Sequence, residues 1–290
     1  MSCKKNMLIF AIPKSYMLIK YDQINNIMQK IVRSFYDIFS FIRINGIIVF
    51  ILKIIDKFTM PFGICLSSFF HIKRRQVFYS KKINFNNNKK IIFDQIYKEK
   101  YWQINNQSVS GSGSSGNLTK KYSHKFIRLL KKFNINSIFD LPCGDFQWMY
   151  KILKLHKKIN YIGGDISPTL IKSLKKSYKT YKFLNFDIIN STKFPKSDLI
   201  HVRDCFIHFS NSDIKKSLLN IKKNCKSKYV MISSHNSIIL KNYDIKTGDF
   251  RILDLKKKPF NLSKSIDKID DYKFGEFPKY VHFWKLNNLF

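Results

Sequence analysis

Ser137-Ile-Phe-Asp-Leu-Pro-Cys-Gly-Asp-Phe-Gln-Trp-Met149 is the stretch on which the reading of this chain turns. Ile138, Phe139 and Leu141 form a short buried strand, Pro142-Cys143-Gly144 breaks it, and a helix starts near Asp145, whose side chain suits a helix N-cap. A strand, a tight turn and a helix in that order is where parallel α/β sheets take nucleotide-like ligands, although the same order also occurs as plain structure. The sequel narrows the reading. Tyr161-Ile-Gly-Gly-Asp165 is a second apolar strand ending in an acid, about 20 residues beyond Gly144, the separation at which a carboxylate meets a ribose.

Outward from this stretch the pattern alternates. It predicts strands over 138–141, 160–164, 181–186, 198–202 and 228–233, with helices over 145–156, 168–178 and 213–223 between them. Strand and helix alternating in this way imply a parallel sheet covered by helices on both faces. The end of the chain changes character: Asp249–Leu255 and Lys279–Leu286 alternate polar with apolar and have no long helix between them, as antiparallel strands do.

These residues resemble the class I S-adenosylmethionine-dependent methyltransferases, and within them a bacterial and phage branch with a DLPCGDFxWM first motif. Asp140-Leu-Pro142-Cys143-Gly144 matches the family's first motif and Asp165 its ribose-binding acid. The resemblance covers roughly residues 91 to 290. It implies a Rossmann-like α/β fold, a mostly parallel seven-stranded sheet with an antiparallel C-terminal strand, here behind an N-terminal helical extension. It also implies S-adenosyl-L-methionine as cofactor. Asp140 would orient the methionine ammonium, Gly144 would leave room for the ligand, and Asp165, with Ile166 beside it, would take the ribose hydroxyls. Asp187 would read the adenine amino group, with Phe186 or Ile188 against the ring. The turn chemistry agrees with a ligand that carries no phosphate: a dinucleotide turn needs glycines where this chain has Pro142, which lacks an N–H, and Phe146.

Methyl transfer is a direct displacement, so the protein aligns the acceptor and, for oxygen or nitrogen acceptors, removes a proton. The loop after the fourth strand, Arg203-Asp-Cys-Phe-Ile-His208, supplies the candidates. His208 is a general base by its intrinsic range or a satisfied histidine under the cofactor; Asp204 is an alternative base or orienting group; Arg203 would meet an anionic acceptor or the cofactor. His235 and Asn236, ending the fifth strand, and Arg251 on a polar lip near Gly248 are candidate acceptor contacts. Ser108–Gly116 reads either as a flexible linker or as an anion-binding loop feeding a helix capped by Asn117 or Thr119, with Ser112 and Ser114 as contacts.

Composition bounds the rest. A chain of 290 residues with 44% apolar and 16% aromatic residues is globular. The 53 basic against 19 acidic residues, net +34, suit a nucleic acid or an anionic membrane as partner. Excess Lys, Asn, Ile, Phe and Tyr spread along the chain also fits an AT-rich coding sequence, so nucleic acid is not favoured. Five scattered cysteines without a C-x-x-C pair argue for a reducing cytoplasm and against a disulfide framework or structural zinc. Apolar residues at helical spacing from Ile24 to Ile42 and over Gly46–Ile55 predict a basic amphipathic extension over residues 1–75, joined by a 76–90 linker to a domain over 91–290. The extension packs on the main domain or a second subunit, or lies peripherally on an anionic membrane. The expected function is methylation of a small molecule or an envelope-glycan sugar. An RNA methyltransferase and a non-catalytic, membrane-associated binder of a nucleotide-like ligand are the alternatives.

Overall fold

The computed structural model describes residues 47–59, 88–103, 107–114, 116–236, 241–272 and 278–289, with the single positions Met28, Phe35, Ile38 and Leu66. The chain divides into two compact units, residues 1–51 and 52–290. Most of the segment expected to be a helix from Ile24 to Ile42 lies outside the described residues; Met28, Phe35 and Ile38 are helical. Positions 76–87 of the expected linker lie outside them too. Helix α1 (Ile47–Thr59) ends two residues before Pro61, which cannot continue it. No helix among the described residues is long and apolar enough to cross a membrane.

The second unit is a seven-stranded sheet flanked by helices. Its elements are α2 (Lys89–Lys98), α3 (Gly116–Lys132), β1 (Ser137–Asp140), α4 (Gln147–Leu155), β2 (Asn160–Asp165) and α5 (Pro168–Ser177), then β3 (Lys182–Asn185), β4 (Leu199–Val202), α6 (Asn211–Asn224), β5 (Tyr229–His235), β6 (Asp267–Asp270) and β7 (Lys279–Lys285). The strand order is β3-β2-β1-β4-β5-β7-β6; β7 runs antiparallel to both its neighbours and the other pairs are parallel. This is the Rossmann-like class I methyltransferase fold expected from the sequence. Because strand side chains alternate between faces, Ile138, Leu199 and Met231 pack with α3, α4 and α5, while Phe139, Ile200 and Val230 pack with α2 and α6.

The end of the chain differs from expectation. Asp249–Leu255 is not a strand, and the sixth strand is Asp267–Asp270. The backbone bonds of the 249–255 segment go elsewhere: Arg251 N–H donates to the Ile207 carbonyl, and the Leu253 carbonyl accepts from His235 N–H. Asp249, Arg251, Leu253, Asp254 and Leu255 are all buried, so the polar and apolar alternation of the sequence does not separate an exposed face from a buried one. Helix α4 begins at Gln147, with Phe146 at its N-cap in the left-handed region at φ 64° and no side-chain capping bond. Asp145 makes only a 3.4 Å contact to Gln147 N–H, because its carboxylate is engaged elsewhere.

The sheet order reverses between β1 and β4, so the crevice outside the carboxyl ends of these strands is where such a sheet takes a ligand. Four groups of residues meet at that edge: the turn after β1, the end of β2, the loop after β4, and the ends of β5 and β6 with the start of β7.

Candidate functional site

The turn after β1 is shaped by a cis Leu141-Pro142 bond and by Gly144 at φ 55°. A Cβ on Gly144 would stand 2.6 Å from Ser110 Oγ, so only glycine lets the Gly/Ser loop lie against this turn. Cys143 N–H is consumed by the Gly164 carbonyl at 2.8 Å, and burial pushes the Cys143 thiol up. The loop is anchored at both ends. Asp145 accepts from Ser108 Oγ at 2.6 Å and Val109 N–H at 3.0 Å, while Asp145 N–H donates to Ser110 Oγ at 2.8 Å. Further along, the Gly113 carbonyl accepts from Arg203 Nη2 at 2.7 Å. A flexible linker has no such buried tethers. Ser114 is half-buried, and the side chain of Ser112 lies outside the described residues.

Two carboxylates end the first two strands. Asp140 is 1% exposed; Oδ1 accepts from His201 Nδ1 at 2.7 Å and Oδ2 from the Tyr161 hydroxyl at 3.0 Å. Asp165 is equally buried. Its Oδ1 accepts from Ser167 N–H at 3.0 Å and its Oδ2 has no hydrogen-bond partner. Burial raises its carboxyl to about 6, with the amides of Ser167, Gly144 and Ile166 pulling the other way. Among the described residues neither carboxylate has a lysine or arginine partner. The Ile166 carbonyl accepts from Asn185 Nδ2 at 2.8 Å, which fixes the backbone beside Asp165.

Asp187 follows β3 in a local turn, accepting from Ile189 N–H at 2.8 Å and Asn190 Nδ2 at 2.7 Å. Each carboxylate oxygen has a second lone pair, so this turn orients the group without exhausting it. Phe186 and Ile188 beside it are core residues, Phe186 edge-on to Phe139.

The cations of the site are committed. Arg203 forks onto Asp271 through Nε at 2.9 Å and Nη2 at 2.8 Å, and its guanidinium lies over the rings of Tyr122 and Trp148. Burial works against its charge, but Asp271 and Asp204 raise its pKa. Lys279 Nζ reaches both Asp204 oxygens, at 2.7 and 2.8 Å, and Asp271 at 3.2 Å. Burial opposes the Asp204 charge, yet Lys279 and Arg203 hold its carboxyl well below the usual range, which makes it a fixed anion and a poor base. Where the sequence reading has Arg203 meeting an anionic acceptor or the cofactor, the structure engages its Nε and Nη2 with Asp271 and the Gly/Ser loop.

His208 stands over the same edge. Its Nδ1 faces the Asp249 carbonyl at 2.8 Å and must carry the hydrogen there, so the neutral ring has its basic lone pair on Nε2. The ring stacks on Trp102 with centroids 4.6 Å apart. His235 is buried at the end of β5; burial, then Lys279, depress it to about 3, so it is neutral at neutral pH. Asn236 follows it, and its Oδ1 has no hydrogen-bond partner. Arg251 does not belong to a substrate lip. It is 0% exposed and clamps carbonyls of Phe209 and Tyr243 together with Asn211 Oδ1. A buried guanidinium shared between main-chain carbonyls holds two loops together.

Sequence reasoning thus missed Lys279, Asp271, His201, Tyr122 and the anchoring role of Asp145. Lys279 is hidden among the 53 basic residues, and His201 reads as part of an apolar strand, Leu199-Ile-His-Val202.

No protein-family model matches this chain, and no curated protein does. Solved structures do. The N-methyltransferase NodS from Bradyrhizobium japonicum WM9, in complex with S-adenosyl-L-homocysteine, is 11% identical over 66% of this chain and 97% of its own, with a TM-score of 0.49. Magnesium protoporphyrin IX methyltransferase from Synechocystis PCC 6803, with bound SAM, is 11% identical over 69% and 99%, with a TM-score of 0.45. The methyltransferase domain of bacterial CtHen1 is 14% identical over 58% and 100%, also at 0.45. Strand order and register, not these likenesses, define the fold of this chain.

Proposed function

We propose that the chain is an S-adenosylmethionine-dependent methyltransferase acting on a small molecule or an envelope-glycan sugar. The observation that carries the reading is the pair of buried carboxylates, Asp140 and Asp165, which end adjacent strands with no lysine or arginine partner among the described residues, one oxygen of Asp165 being unpaired. Two such anions repel a pyrophosphate and favour a ligand that brings positive charge and hydroxyl groups. S-adenosylmethionine has both and carries no phosphate.

When bound, the cofactor supplies a methyl group on a sulfonium sulfur, open to displacement by an acceptor atom. Asp165 would receive the ribose hydroxyls, Asp140 the ammonium, and Asp187 with Ile188 the adenine. The Pro142-Cys143-Gly144 turn and the tethered Gly/Ser loop, with Ser112 and Ser114, would enclose the methionine end or an anionic group of the acceptor. His208 Nε2 is the base we assign for an oxygen or nitrogen acceptor. Asp204, held anionic by Lys279, orients the acceptor beside His235 and Asn236. In this reading residues 91–290 form the methyltransferase domain and residues 1–75 a basic extension toward an anionic surface, in the cytoplasm.

Calorimetric titration of the full chain with S-adenosylhomocysteine tests the reading. Micromolar affinity, lost in Asp165→Ala, is expected; a folded wild-type chain that binds none overturns it.

A further inference from the structure

Tyr122, His201, Asp140 and Tyr161 form one continuous hydrogen-bonded chain across α3, β4, β1 and β2. Tyr122 donates its hydroxyl hydrogen to His201 Nε2 at 2.9 Å, His201 Nδ1–H donates to Asp140 Oδ1 at 2.7 Å, and Tyr161 donates to Asp140 Oδ2 at 3.0 Å. With the ring hydrogen on Nδ1, each bond in this order has one donor and one acceptor. Tyr122 and His201 are 0% exposed, Asp140 1% and Tyr161 5%. The surroundings are apolar and aromatic: Phe126 lies 5.1 Å and Trp148 5.9 Å from the His201 ring.

Such a chain is costly as mere scaffolding. Apolar residues of the same volume generally stabilise a core as well as a buried ionic group does. This one ends on a carboxylate at the ligand-facing end of the first strand. It also reaches the Gly/Ser loop, because Arg203, whose guanidinium lies 5.0 Å from the Tyr122 ring centroid, holds the Gly113 carbonyl.

Resting on the reading above, we infer that His201 is a positioning residue: backed by Tyr122, it fixes the rotamer of Asp140 so that this carboxylate meets the amino-acid end of the cofactor. His201 touches no ligand itself. One donor on each oxygen holds Asp140 in one rotamer and leaves each oxygen a further lone pair for the ammonium that the ligand would bring.

Two probes separate this role from a structural one. S-adenosylhomocysteine carries the amino-acid end; 5′-methylthioadenosine has the same nucleoside and lacks it. Calorimetry on the full chain compares wild type, His201→Phe and His201→Asn, the asparagine amide keeping a donor where Nδ1 stood. His201→Phe is expected to weaken S-adenosylhomocysteine about 10-fold or more and methylthioadenosine less than about 3-fold, a split equivalent to one lost charge-assisted bond. His201→Asn is expected to restore S-adenosylhomocysteine affinity to within about 3-fold of wild type. Equal weakening of both probes overturns the inference. If His201→Phe does not fold, His201→Asn decides alone: near-wild-type affinity for both probes supports the role, and parallel loss overturns it. A folded wild type that binds neither probe sinks the cofactor reading instead.

Discussion

Asp165→Asn should stabilise the chain without ligand at neutral pH while weakening the cofactor site. The carboxylate is buried, has an unpaired oxygen, and is raised from 3.8 to about 6 by desolvation. That difference is worth about 3 kcal/mol at about 1.36 kcal/mol per pH unit. The sign follows from proton uptake: between the two values the folded chain holds a proton that the unfolded chain has released. Stability contributed by this group is therefore full below about pH 4, falls as pH rises toward about 6, and stays low above it. An asparagine never ionises, so its advantage over aspartate grows by about 3 kcal/mol across that window. Its NH2 group adds a cost of about 1–3 kcal/mol where Oδ2 was unpaired, but that cost is the same at both ends of the window. Urea unfolding of both proteins at about pH 4 and about pH 7.5 isolates the change from the packing cost. S-adenosylhomocysteine affinity should fall about 10- to 100-fold in the same variant, as one charge-assisted acceptor is lost. A stability difference that does not move with pH would refute the claim that this carboxylate is desolvated and uncompensated.

Three further outcomes follow from the same edge of the sheet. Arg203→Lys keeps the charge but cannot fork onto Asp271 and the Gly113 carbonyl together; it should cost about 2 kcal/mol and open residues 108–114 to limited proteolysis, and a protease-resistant loop would contradict the tether. Gly144→Ala sets a methyl group against Ser110 Oγ in the left-handed region; a loss of about 1–2 kcal/mol by thermal unfolding is expected, and an unchanged melting temperature would show that the loop does not rest on the turn. Asp94 accepts from Ser167 Oγ at 2.6 Å, Thr169 N–H at 2.9 Å and Thr169 Oγ1 at 3.0 Å, which pins α2 to the start of α5; burial opposes its charge, but these bonds and Lys98 hold it near about 2. Asp94→Ala should cost about 2 kcal/mol at neutral pH, present above about pH 4 and shrinking as pH falls through about 2; a loss that is undiminished in acid would mean the bonds do not depend on the carboxylate charge, and no loss at neutral pH would mean the helix is held by packing alone.

The fold was legible because its signals are local. An apolar run, a turn at Pro142 to Gly144 and a helical stripe follow one another in sequence, and their alternation leaves few ways to build the sheet. Asp140, Gly144 and Asp165 were legible for the same reason, each standing at a strand end that the pattern marks. Where long-range packing decides, the reading slipped. Arg251 and the alternation over 249–255 look like an exposed strand, yet they serve carbonyls of Phe209 and Tyr243 and the core beneath them. That Asp271, 68 residues away, engages the Arg203 guanidinium could not be read from any local pattern.

By itself the sequence determined the α/β sheet, the position of its ligand-facing edge and the acids at the ends of β1 and β2, because period and turn chemistry are properties of neighbouring residues. Only the tertiary structure decided which charges are spent and which are not. Lys279 and Asp271 enter the site from the antiparallel end of the sheet, His201 and Tyr122 lie under Asp140 from another strand and a helix, and Asp145 ties down the Gly/Ser loop. Pairing of charges across a sheet depends on burial and distance between segments far apart in the chain, and no local pattern encodes it.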